Sequence, residues 1–179
     1  KSRRRGRKIP GRAYTTWMSL VLGAAVLWRV GAIEVEAPSA PVRAVDAKQA
    51  ERILTPLLRN TYRAFDQRDE SAIYDTLARS IEGDLLQKVY LQTINALTLD
   101  AQDGTRVSVT DIGVDIDGVS SVKGAPGFIA HGGWTAMGSV GHWGHNHPRV
   151  NGYKAKITVQ PVKGVWKITG LEILEERRA

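Results

Sequence analysis

The chain contains no cysteine, which removes disulfide frameworks, thiolate metal sites and cysteine nucleophiles together. It also lacks several phosphate- and metal-binding signatures. Gly124-Ala125-Pro126-Gly127 is not followed by the Gly-Lys-Ser/Thr of a phosphate loop, and no HExxH zinc motif is present. Asp111, Asp115 and Asp117 sit in DIGVDID, which has neither the loop glycine nor the terminal Glu of a calcium loop, so they read as the solvated face of a strand. No internal repeat is present. Acidic residues are missing from the first 33 positions, whereas Lys1, Arg3, Arg4, Arg5, Arg7, Lys8 and Arg12 put seven cations into an arm over 1–12. Taking those seven from the 25 Lys and Arg leaves 18 basic against 18 acidic residues, so the net charge of +7 belongs to the arm and the remainder is formally neutral. With no basic stripe interleaved with aromatics after the arm, nucleic acid is not an expected partner of the folded part.

Long apolar runs are equally scarce, and the one that exists organises the reading. Residues 13–33, AYTTWMSLVLGAAVLWRVGAI, would span about 31 Å as a helix, close to a hydrocarbon thickness of ~30 Å. Trp17 and Trp28 stand where an aromatic belt would place them, and Arg29 is near enough to the end to snorkel to the head groups. Cations before this run and Glu34 and Glu36 after it predict a cytoplasmic N-terminus and an extracytoplasmic, periplasmic remainder, with the lipid bilayer as a partner. A cleaved secretory signal ending near Ala37-Pro38-Ser39-Ala40 is the competing reading. A twin-arginine signal is disfavoured because no apolar residues follow the arginines. We read an uncleaved signal anchor in the inner membrane, followed by a linker over 34–45 that Pro38 and Pro41 keep extended.

Residues 46–175 predict one α+β domain, with a polar tail over 176–179. Ala50, Ile53, Leu54, Leu57, Leu58, Tyr62 and Phe65 recur on one face of a helix over 46–66 that Asp46 can cap. Asp69 would cap a short helix over 70–78 that turns Ile73 and Leu77 inward, and Ser80 would cap a third helix over 81–97. After Asp103-Gly104 the period changes to two. A strand over 106–117 shifts phase between Val109 and Ile112 as a bulge would. A second, over 128–142, is long and bent at its glycines; a third, over 153–160, turns through 161–164 into a fourth, over 165–174.

Helices followed by an antiparallel meander, with NGYKAKITVQPVKGVWKITGLEILEE closing it and TYRAFDQRDESAIYDTLA near its start, resemble the nuclear-transport-factor-2-like superfamily, the SnoaL-like or cystatin-like cones. The resemblance implies helices packed on a curved antiparallel sheet around a conical cavity, a fold that hosts enzymes, binding modules and assembly subunits alike. Tethered members similar in layout are the inner-membrane assembly factor of type IV secretion systems and the Mce-associated membrane proteins of actinobacteria. Enzymatic members place an Asp/His or Tyr/Asp pair in the cavity, and no such pair can be matched here. Tyr62, Tyr74 and Tyr90, with Asp66 and Asp75, are candidates to line a cavity; core and surface roles are the alternative.

All four histidines fall between 131 and 147, three of them in GHWGHNHPR as His142, His145 and His147. Three imidazoles from one strand end and its loop would suit a divalent ion, Zn, Cu or Ni. Two other readings stand beside that one: a strand crossover in which Asn146 and Pro148 shape a turn while Arg149 and Asn151 bond backbone carbonyls, and a partner-contact loop presenting Trp143 and Arg149. The function these features predict is a non-enzymatic, single-pass subunit of a bacterial membrane complex, its outer domain serving assembly, stability or docking to other membrane protein subunits. The alternatives are a His-rich metal-binding or metal-delivery accessory protein and a small-molecule-binding cone.

Overall fold

A computed structural model describes residues 45–102, 105–142 and 145–178. The arm, the apolar run with Trp17, Trp28 and Arg29, all but the last residue of the linker, and Trp143 lie outside the described residues. Among the described residues no helix is long and apolar enough to cross a membrane.

Among the described residues, three helices precede four strands. Helix α1 spans Ala47–Tyr62 and tightens into a 3-10 turn over Arg63–Asp66, α2 spans Glu70–Ala78, and α3 spans Asp84–Gln102. Two helix starts follow the side chains expected to cap them. Asp46 accepts a hydrogen bond from the Gln49 backbone N–H at 2.7 Å, and Asp69 accepts one from Ala72 at 3.0 Å. The bonds from Ser71 and Ala72 hold the Asp69 carboxyl below its usual range. The third helix differs from expectation. Ser80 is not its cap: the Ser80 carbonyl accepts from Ile168 N–H at 2.8 Å and Ile168 O accepts from Glu82 N–H at 3.1 Å, so this segment is drawn out as a parallel bridge on the sheet and helix formation waits until Asp84.

The strands are β1 (Thr105–Ser121), β2 (Phe128–His142), β3 (His145–Val162) and β4 (Val165–Arg178), antiparallel neighbours in chain order. β1 pairs Val109 with Gly138 and Asp111 with Met137, leaving Thr110 as the extra residue where the phase change predicted a bulge. Further irregularities fall at Asp117, Thr169 and Leu174, and bulges of this kind curve a sheet of such long strands. The glycines of β2 have a close-packing reason. A Cβ built on Gly133 would run into the Tyr153 carbonyl oxygen, and one on Gly138 into that of Ser108, so neighbouring backbones approach where only glycine fits.

Two expectations need correction. Asn146 and Pro148 do not shape a turn: they are β3 residues opposite Gly141 and Ser139. The polar end from Glu175 onward is not a tail, because β4 continues to Arg178, opposite Asn151.

One face of the sheet takes the helices. Ala50, Leu54 and Leu57 of α1 are fully buried against Ile112, Phe128, Ala130, Ile157, Val159 and Trp166. A smaller core joins Ala64, Ile73, Leu77, Ile81 and Leu86. Lys167 ties the second core to β4, its Nζ donating to Ala78 O and Glu82 Oε2, each at 2.7 Å. The opposite face is wet: Asp115 and Asp117 are exposed there, as the strand reading required, whereas Asp111, also exposed, pairs with Arg59 of α1 at 3.4 Å.

Candidate functional site: a cleft where the sheet outruns its helices

Side chains at alternate positions of a strand share a face. Followed toward its start, the helix-side phase of β3 reads Val159, Ile157, Ala155, then Tyr153, Asn151, Arg149, His147 and His145. The first three are buried and apolar, whereas the positions from Tyr153 onward are polar and progressively exposed. Helix α1 ends at Tyr62, so beyond it the concave face opens into a cleft of about 300 Å³, lined by Tyr62, Phe65, Val109, Asn151, Tyr153 and Glu176 among others.

Polar groups in this cleft bond one another in series. Trp134 Nε1 donates to the Tyr62 hydroxyl at 3.0 Å, and the Trp134 ring stacks on Tyr153 with centroids 4.8 Å apart. Asn151 Nδ2 donates to the Tyr153 hydroxyl at 3.4 Å, and Arg149 Nε donates to Asn151 Oδ1 at 3.3 Å. Arg149 and Asn151 thus bond each other rather than the backbone carbonyls expected of them. Burial drives the Tyr62 phenol well above its ordinary value; the indole bond opposes this, and Tyr153 and Glu176 add to it. A phenol held neutral in this way is a fixed donor and acceptor rather than a proton carrier at neutral pH. Two cations flank Asn151: Arg149 on its own strand and Arg178, its cross-strand partner. Arg178 is drawn toward Glu176, 3.6 Å away. The arrangement can seat a polar, hydrogen-bonding group against an aromatic floor, and its rim carries both signs of charge.

The outer face has a second depression. Gly113, Gly133 and Gly152 floor a trough of about 560 Å³ that Asp115, Lys154, Glu175 and Arg177 border. Its charges are partly spent on each other: Arg177 Nε donates to Glu175 at 2.6 Å and holds that carboxyl below its usual range.

Of the residues the sequence singled out, Tyr62 lines the cleft. Tyr74 and Tyr90 pack edge-to-face on one another at 5.5 Å instead. Neither Asp66 nor Asp75 lines the cleft. Arg149 lines it, while Trp143 lies outside the described residues. His145 and His147 are exposed on β3. Among the described residues no three His, Asp or Glu side chains converge on a point that could hold a metal. Sequence reasoning did not connect Asn151, Tyr153, Glu176 and Arg178 to Tyr62. The available signal was the polar continuation of the apolar alternation in NGYKAKITV.

No family model and no curated protein matches the chain. Seventeen chains of solved structure do. One is the intermembrane-space region of the chloroplast protein ARC6, with 20% identity and a TM-score of 0.55 over 74% of this chain and 98% of that one. At that identity the likeness is one of fold: helices on a curved four-stranded antiparallel sheet.

Proposed function

We propose that this chain is a non-enzymatic, single-pass subunit of a bacterial membrane complex, whose outer domain docks another subunit through the cleft beside Tyr62. On this reading residues 13–33 hold it in the inner membrane with the N-terminus cytoplasmic, 34–45 space the domain from the lipid, and the domain is a tethered relative of the nuclear-transport-factor-2-like cones. The observation that carries the proposal is the cleft, a concave surface of interlocked hydrogen-bonding groups with an aromatic floor, whose most perturbed group is a phenol held neutral. Fixed donors and acceptors of this sort suit recognition of a partner more than proton transfer. Further support comes from the confinement of excess charge to the arm before the apolar run. The ARC6 likeness adds that the fold occurs in a domain lying in an intermembrane space.

The test is purification of the untagged full chain from native membranes in mild detergent. A second chain should co-elute with the wild type at fixed stoichiometry and be lost from Arg149→Glu, while the melting temperature of the variant stays unchanged. Elution of the wild type alone would remove the proposal.

A further inference from the structure

The trough on the outer face of the sheet, about 560 Å³, has a floor made by missing side chains. In the strand register Gly113 of β1 stands opposite Thr135 of β2, and Thr135 opposite Gly152 of β3; the next row is Asp115, Gly133 and Lys154. A Cβ on Gly133 would strike the Tyr153 carbonyl, so packing accounts for that glycine. It does not account for the other two, because a Cβ on Gly113 or Gly152 would meet open space and no register shift falls at either. Glycine inside a strand weakens it, and where neither a bulge nor a close neighbour asks for one it marks a surface that another molecule approaches closely. The walls are of opposite sign. Asp115 and Asp117 are exposed on β1, and Lys154 is exposed on β3. Among the described residues no ion pair uses any of these three. Glu175, which stands opposite Lys154, accepts from Arg177 at 2.6 Å instead.

We propose that the trough binds a free α-amino acid, with its ammonium on Asp115 and Asp117, its Cα over Gly133 and its carboxylate on Lys154. The spacing selects this ligand. Neighbouring strands lie about 4.8 Å apart, which puts the Asp115 and Lys154 backbones about 10 Å apart across Gly133. The ammonium nitrogen and carboxylate carbon of an α-amino acid are about 2.5 Å apart. A charge-assisted hydrogen bond of about 2.8 Å at each end brings the span to about 8 Å, and the long Lys154 stem closes the remainder. The ligand's side chain then crosses the floor of Gly113, Thr135 and Gly152. Beyond that floor stand Met137 and Val150, opposite one another and 38% and 36% exposed, so an uncharged aliphatic side chain suits this direction. The trough lies on the face away from the Tyr62 cleft, so the inference stands or falls independently of the docking reading.

The experiment titrates the full chain in detergent at neutral pH with L-leucine and follows the backbone amide resonances of Gly113, Gly133 and Gly152. Saturable shifts of all three, fitting one site per chain, are expected, and about 1 M salt should weaken them because the charged walls are exposed. N-acetyl-leucine lacks the ammonium and leucinamide lacks the carboxylate, so each should bind at least about threefold more weakly than leucine. Leucine should lose as much on Asp115→Asn and on Lys154→Gln. The double variant Gly113→Val, Gly152→Val fills the floor and should abolish the shift at Gly133 while the melting temperature stays near that of the wild type. Should the filled variant unfold, Asp115→Asn and Lys154→Gln, both at exposed positions, carry the test alone. Absence of a saturable shift, equal binding of leucine and its two blocked forms, or leucine binding that survives either the filled floor or both charge substitutions overturns the proposal.

Discussion

The two halves of the sheet are made of the same strands and differ in what lies over them. In the covered half, Phe128, Ala130, Ile157 and Val159 are 2% exposed or less beneath α1. In the half that runs on past Tyr62, the same phase of β3 carries Tyr153, Asn151, Arg149, His147 and His145. One continuous backbone ladder therefore joins a region built for stability to one lined by polar side chains, and the polarity of alternate residues marks the border. The helical layer, not the sheet, decides which half is core.

The comparison is broken most directly in the covered half. Phe128→Ala, which empties the space between Trp166 and the α1 side chains, should cost about 3–5 kcal/mol in denaturant unfolding. Val150→Ala, on β3 in the open half, should stay within about 1 kcal/mol. If the two costs are similar, the division fails. A second substitution separates side chains from backbone in the open half. Gly138→Ala drives a methyl into the Ser108 carbonyl and should cost about 1–3 kcal/mol, whereas Gly113→Ala, with open space around its Cβ, should cost far less. Equal melting temperatures for those two variants would show that the strands there can part freely.

At the border itself, Tyr62→Phe leaves the buried Trp134 N–H without its acceptor and should cost about 1–3 kcal/mol at neutral pH. The sign of its pH dependence follows from the raised phenol. The folded chain keeps Tyr62 protonated above the pH where the unfolded chain gives up that proton, near 10, so the wild type loses stability as pH rises past that point. Urea midpoints at pH 8 and pH 11 should converge between wild type and Tyr62→Phe, and a difference that holds constant would refute the coupling.

How much of this was legible in the sequence follows the same border. Asp46 and Asp69 announced their helices, and the phase shift between Val109 and Ile112 announced the bulge at Thr110, because each stands in or beside a periodic apolar pattern. β2 was readable over its whole length, since Phe128, Ala130, Trp134, Ala136 and Val140 keep the period to the end. The start of β3 and the end of β4 were not. His145–Arg149 and Glu175–Arg178 lie beyond the described core that packs on the sheet, so both phases are polar and hydrophobic periodicity carries no signal. The cleft was hidden for the same reason: Tyr62, Phe65 and Val109 on one side carry the pattern, but Arg149, Asn151, Glu176 and Arg178 on the other lack it. The late start of α3 had a different cause, a tertiary bridge at Ile81 that no local propensity encodes.

That bridge also bears on solubility. β4 is the sheet's last strand, and an uncovered last strand invites a foreign strand to add to it and seed aggregation. Ser80–Glu82 already occupies the hydrogen-bonding groups of Ile168, and Glu172, Glu175, Glu176, Arg177 and Arg178 crowd the part left open. An incoming strand must displace the bridge at one end or strip water from dense charge at the other, so strand addition along β4 is opposed at both ends.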